Sequence, residues 1–195
     1  ALPKSLTSVY LMNPDYLYGQ SVQHDLRDYL ARLRPDIKIV GDELVPFGKV
    51  KDFSPYLSKV RSSGAQALLT ANWGTDFNLL LKAGIESGLD VQYYTYSAHL
   101  NGGPTAMGAG GVDRVHALVD SHMNIGNENN DAAGDAWMKG FRDRHPDFDF
   151  VWLNYRTMFD MLREAVNKAG STDAYKVALA LEGMQMKDVF GQQTV

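Results

Sequence analysis

The chain contains no cysteine. That excludes disulfides, zinc–thiolate centres and cysteine nucleophiles. It leaves the compartment open, because an extracytoplasmic protein can also do without cysteine. Long apolar runs are missing as well. The longest is the five-residue run Val177 to Leu181, far short of the ~20 residues a membrane-spanning helix needs. Basic charge is in deficit, with 19 Lys and Arg against 23 Asp and Glu and a net charge of −4. A protein that grips nucleic acid by its phosphates should be clearly basic, so no nucleic-acid partner is expected. Repeats and low-complexity tracts are absent.

Catalytic motifs are scarce too. There is no P-loop and no Gly-x-Ser-x-Gly. Gly108 and Gly110 do not open a dinucleotide fingerprint, because Asp113 stands where its third glycine would fall. His24, His99, His116, His122 and His145 show no His-x-x-x-His spacing, and His116 and His122 read as ordinary histidines. No metal and no cofactor is expected. Asp120-Ser121-His122 holds triad residue types, but sequence neighbours cannot adopt triad geometry. Asp147 and Asp149 lack the further oxygen ligands of a calcium loop and read as a solvated turn.

What is present is an ordinary globular composition, 45% hydrophobic and 22% charged over 195 residues. That length suits one domain, or one and a half. The opening Ala1-Leu2-Pro3-Lys4 has neither an initiator Met nor a signal peptide, as expected of a mature product or a fragment. Two periods alternate over the first 120 residues. Ser5 to Met12 reads as a buried strand, followed by turn chemistry and a cap candidate in Asn13-Pro14-Asp15. Val22, Leu26, Leu30 and Leu33 recur at helical spacing until Pro35. Ile37 to Leu44 reads as the next strand. Asp52 is positioned to cap a short helix that Gly64 ends. Ala67 to Ala71 is a strand, Thr75 or Asp76 caps a helix closed by Gly88, and strands follow at Val91 to Tyr96 and Val115 to Val119. The glycine-rich stretch Asn101 to Gly111 reads as a loop or short irregular helix. This order predicts an α/β fold: three layers, α-β-α, around a mostly parallel sheet.

The last third changes character. Gly126 to Asp131 reads as a polar linker. Helices are expected at Ala132 to Arg144, Val151 to Ala169 and Asp173 to Leu181, and the start of a strand at Val189 to Val195. The middle helix carries Trp152, Tyr155, Met158, Phe159 and Leu162, apolar groups on more than one face. Such a helix needs burial on two sides, and no run of strands remains to cover it. Two segments follow: an α/β lobe over 1–123, and a linker with helices over 124–195.

Ligands of open parallel sheets bind beyond the carboxyl ends of the strands. The residues there are Tyr18 after the first strand; Trp73, Gly74, Thr75 and Asp76 after the third; and Tyr96, Ser97 and His99 after the fourth. The free N–H groups of a helix starting just after Trp73 and Gly74, with the Thr75 hydroxyl, can hold a carboxylate beside the apolar wall of Trp73.

Val9-Tyr10-Leu11-Met12-Asn13, Asp15-Tyr16 and Tyr18-Gly19-Gln20 resemble the opening of the second lobe of periplasmic substrate-binding proteins of the leucine/isoleucine/valine-binding type. Val40-Gly41-Asp42-Glu43 and Gly48-Lys49-Val50-Lys51-Asp52-Phe53-Ser54-Pro55-Tyr56 are similar to the strand and helix that follow there. Ser63-Gly64-Ala65-Gln66-Ala67-Leu68-Leu69, Lys82-Ala83 and Gly88-Leu89 continue the likeness. The resemblance covers nearly the whole chain. It implies a type I lobe that closes with a second lobe on a branched-chain amino acid or related small solute, in the periplasm, without catalysis. It implies delivery to a membrane ABC permease. It also implies that Tyr18 and the two loops after the third and fourth strands face the cleft. Measured against that family the chain resembles a fragment, lobe two with helices of a first lobe whose sheet is missing. Either self-association through 132–181, or packing of those helices against 1–123 in a position the family does not use, is then expected. The other functions open to such a lobe are a ligand-sensing domain of a regulator or receptor and, on a flavodoxin-like sheet, an enzyme. Pro14 argues against the last, since it donates no N–H to a phosphate loop.

Overall fold

The structure, a computed structural model, describes residues 2–100, 102–119, 122, 124–148, 153–188 and 191–195. The chain divides into two compact units, Ala1–Val119 and Asp120–Val195.

In the first unit, strands β1 (Ser8–Pro14), β2 (Lys38–Val45), β3 (Ala67–Thr70), β4 (Gln92–Thr95) and β5 (Val115–Ala117) form one sheet in the order β2-β1-β3-β4-β5. Every neighbouring pair is parallel. The connections are helices α1 (Leu17–Leu33), α2 (Ser54–Ser63), α3 (Gly74–Glu86) and α4 (Gly103–Met107), the last followed by a 3-10 turn at Gly108–Gly111. The glycine-rich stretch is thus a short irregular helix.

Alternation along the strands explains the layers. Tyr10, Met12, Leu68 and Tyr93 point to one face and pack with Leu57 and Val60 of α2 and Phe77, Leu80 and Leu81 of α3. Val9, Leu11, Ala67 and Leu69 point to the other and pack with Leu30 of α1. Successive strand residues face opposite ways, so a sheet covered on both sides reads as a continuous apolar run, as Val9–Met12 does. The register between β1 and β2 shifts once, between Val9 and Tyr10.

Two expected caps differ. Asp52 accepts the Ser54 N–H at 2.9 Å, but it stands one residue before the cap position of α2, which Phe53 occupies. Neither Thr75 nor Asp76 caps α3: the helix begins one residue before Thr75, Trp73 occupies the cap position, and no side chain bonds there. At the far end Gly88 adopts a left-handed φ, and the Leu89 N–H reaches the Gly84 carbonyl at 3.0 Å, a Schellman closure.

The second unit holds α5 (Ile125–Glu128), α6 (Ala132–Arg144), α7 (Leu153–Ala169), α8 (Ala174–Leu181) and an antiparallel pair, β6 (Gln185–Asp188) with β7 (Gly191–Thr194). Gly126 to Asp131 is not an extended linker. It contains most of α5, which packs on α6, and Asp131 caps α6 by accepting the Gly134 N–H at 3.0 Å. Asp173 caps α8 in the same way through Lys176. The terminal strand has a partner that the sequence reading lacks. On α7, Ala165 is buried with Val177 and Ala180 of α8. Tyr155, Met158, Phe159 and Leu162 are exposed. Val151, Trp152, Val189, Asp149, Asp120 and Ser121 lie outside the described residues.

Candidate functional site

The order 2-1-3-4-5 reverses direction between β1 and β3, and the carboxyl ends of these strands are tied together by buried polar groups. Asn13, read from the sequence as part of a turn, is fully buried instead. Its Oδ1 accepts the Ala71 N–H at 2.7 Å and its Nδ2 donates to Gln23 of α1. Asn72 donates to the Met12 carbonyl at 3.2 Å and to Thr70 Oγ1 at 2.9 Å. Thr70 and Thr95 stand side by side in register. Each hydroxyl oxygen accepts the N–H two residues on, from Asn72 at 3.1 Å and from Ser97 at 3.0 Å. Side-chain acceptors of this kind turn the chain out of a strand.

Beyond these ties the chain presents rings. Gly19 lets α1 sit hard on the end of β1, since a Cβ there would lie 1.9 Å from the Pro14 carbonyl oxygen. This places Tyr16 and Tyr18 at the sheet edge, their rings 5.9 Å apart. Trp73 is extended and Gly74 takes a φ of +57°, a conformation costly for any other residue, so the chain enters α3 abruptly. The Trp73 indole N–H donates to the Tyr16 hydroxyl at 2.8 Å. Phe47, just past β2, lies between them: 5.0 Å from the Tyr16 ring and stacked 5.1 Å from that of Trp73. Tyr96 is near enough for its phenol to act electrostatically on that of Tyr18. Burial first, then Tyr16 and Tyr96, pushes the Tyr18 phenol above its ordinary range.

Of the residues expected at a site, the structure brings Tyr18, Trp73 and Tyr96 to one edge, each exposed, at 41%, 42% and 44%. Thr75 is exposed beside them and Gly74 half-buried. Asp76 differs from the expectation: it is 4% exposed and its carboxylate accepts the Gly48 N–H at 2.7 Å, holding the turn that carries Phe47. Ser97 is buried in its turn, and His99 is half-buried. Sequence reasoning missed Phe47 and gave Tyr16 no role. The signal was available: Phe47 follows β2 as Tyr18 follows β1 and Trp73 follows β3. A separate shallow groove of about 480 Å³ lies against β2 and α2, lined by Tyr10, Gly41, Ser58 and Lys59 among others. Among the described residues no group of three potential ligands could hold a metal, and no helix is long and apolar enough to cross a membrane.

A parallel sheet in this order, with helices on both faces and exposed rings gathered at its carboxyl edge, defines a class, the three-layer α/β domains. The chain belongs to the periplasmic binding protein family, whose family model matches residues 4–195. Leu/Ile/Val-binding protein homolog 4 of Brucella abortus (strain 2308) is 23% identical over 194 residues, covering 95% of this chain and 44% of that protein. The leucine-, isoleucine-, valine-, threonine-, and alanine-binding protein from Brucella ovis shares the fold, with a TM-score of 0.72 at 22% identity, over 97% of this chain and 48% of that one. So does a solute binding protein of an ABC transporter from R. palustris in complex with benzoate, with a TM-score of 0.76 at 14% identity, over 97% and 51%. The chain spans about half the length of these relatives.

Proposed function

We propose that the chain is part of the substrate-binding component of an ABC importer. It takes a small carboxylate-bearing solute between two lobes in the periplasm and hands it to a membrane permease. On this reading 1–123 is the second lobe, and 124–195 supplies helices of the first. The observation that carries it is the gathering of Tyr18, Trp73 and Tyr96 at the carboxyl edge of the sheet in a chain of this family. Those rings supply contact area. The first-turn N–H groups of α3, at Gly74 and Thr75, receive the solute's carboxylate. Asp76, Ser97 and His99 shape the wall from behind. Branched-chain amino acids belong to the solute class, as the names of the Brucella relatives support, and so does the benzoate of the R. palustris neighbour. The role is binding, not catalysis. Residues 132–181 self-associate through the open face of α7 when no other surface covers it.

Isothermal titration calorimetry of the purified protein against leucine, isoleucine, valine and benzoate tests this reading. Saturable binding of at least one solute is expected, with affinity reduced about 10-fold or more by Trp73→Ala. Absence of heat with every solute refutes it.

A further inference from the structure

Resting on that reading, we infer that the wall selects within the solute class for an aromatic ring, an arene carboxylate, with Phe47 and Tyr16 as specificity-determining residues.

The rings are built as one unit. Trp73 is fixed by its N–H bond to Tyr16, and Phe47 is held between the two at 5.0 and 5.1 Å. The Asp76–Gly48 hydrogen bond fixes the turn from which Phe47 projects. A wall already ordered loses little side-chain freedom when a ligand docks. It presents planar faces. The Trp73 indole N–H is spent on Tyr16, so a ligand meets indole surface and not a donor. Ring faces gain most from another ring, offset or edge-on, because the negative face of one quadrupole meets the positive edge of the next. An aliphatic chain of equal area gains only the area.

The Tyr18 hydroxyl, exposed at the same edge, is a donor suited to the ligand's carboxylate.

The test is competitive calorimetry on the purified protein with benzoate, cyclohexanecarboxylate and leucine. The first two match in charge and nearly in size, and differ in the π system. Benzoate is expected to bind about 3–10-fold tighter than cyclohexanecarboxylate, the ratio that an aromatic pair supplies. Phe47→Leu should bring that ratio toward 1, and Phe47→Tyr, which keeps a ring, should retain it. If Phe47→Leu does not fold, Tyr16→Phe, which keeps the ring and frees the indole N–H, should lower the same ratio. Equal or tighter binding of cyclohexanecarboxylate, or leucine binding tightest, overturns the inference and leaves the solute-binding reading standing. Failure of all three probes, with leucine's aliphatic relatives failing as well, overturns both.

Discussion

The Asp76 carboxylate accepts the backbone N–H of Gly48 at 2.7 Å, joining the first turn of α3 to the turn after β2 across 28 residues of sequence. One hydrogen bond therefore fixes the relative position of two loops at the carboxyl edge of the sheet, the one with Trp73 and the one with Phe47.

Asp76→Ala removes that bond at a buried position and leaves the Gly48 N–H without its acceptor. The expected cost is about 1–3 kcal/mol of unfolding free energy, read by urea denaturation. Asp76→Asn keeps an acceptor oxygen and should cost less. Equal stability of Asp76→Ala and wild type would show that the turn is held by other means.

Tyr93 is completely buried, and its hydroxyl finds no hydrogen-bond partner among the described residues. Burial pushes its phenol up to about 12 from an ordinary 10.0. A group that holds its proton more tightly when folded contributes stability fully below the unfolded value and loses it as pH rises toward the folded one. Stability should therefore fall between about pH 10 and pH 12. Tyr10, raised to about 12 chiefly by burial and then by Glu43, adds to the same decline. Tyr93→Phe removes an unsatisfied hydroxyl, so it should be neutral or stabilising at pH 8 and flatten the alkaline decline. Chemical denaturation at both ends of that range measures it. A clear loss of stability at pH 8 would mean the hydroxyl has a partner.

The open face of α7 presents Phe159 at 64% and Met158 at 52% exposure. Burying each such group is worth about 1.5–3 kcal/mol, and a contiguous apolar patch marks an interface. Residues 1–195 alone should give a light-scattering mass that rises with concentration. Phe159→Ser with Met158→Gln should return it to that of one chain. A single-chain mass for the unaltered protein at every dilution would refute self-association.

The sheet was readable because its strands are short apolar runs cut by strong stops. Val9–Met12 and Ala67–Leu69 have no polar interruption, and Gly64 and Gly88 end the helices before β3 and β4. The β6–β7 pair was not readable, since Gln185–Asp188 and Gly191–Thr194 carry almost no apolar alternation and owe their form to backbone pairing. At the candidate site, single rings past single strands could be named from the sequence. Their assembly could not. It depends on Trp73 reaching Tyr16 and Asp76 reaching Gly48, contacts between distant segments that no local pattern encodes. Asn13 illustrates the same limit: its composition says turn, and only the neighbouring Ala71 and Gln23 make it a buried clasp.

Thr70 and Thr95 each end their own strand by bonding the N–H two residues on. Both sit on the protein side of the loops that carry Trp73 and Tyr96. The strand exits are thus decided before the exposed residues begin. Diversity at the rim is cheap in such an arrangement: a lineage can replace Trp73 or Tyr96, or lengthen either loop, while the sheet beneath keeps its register. The fold supplies a fixed frame, and what its rim presents is free to change by drift at a few outward positions.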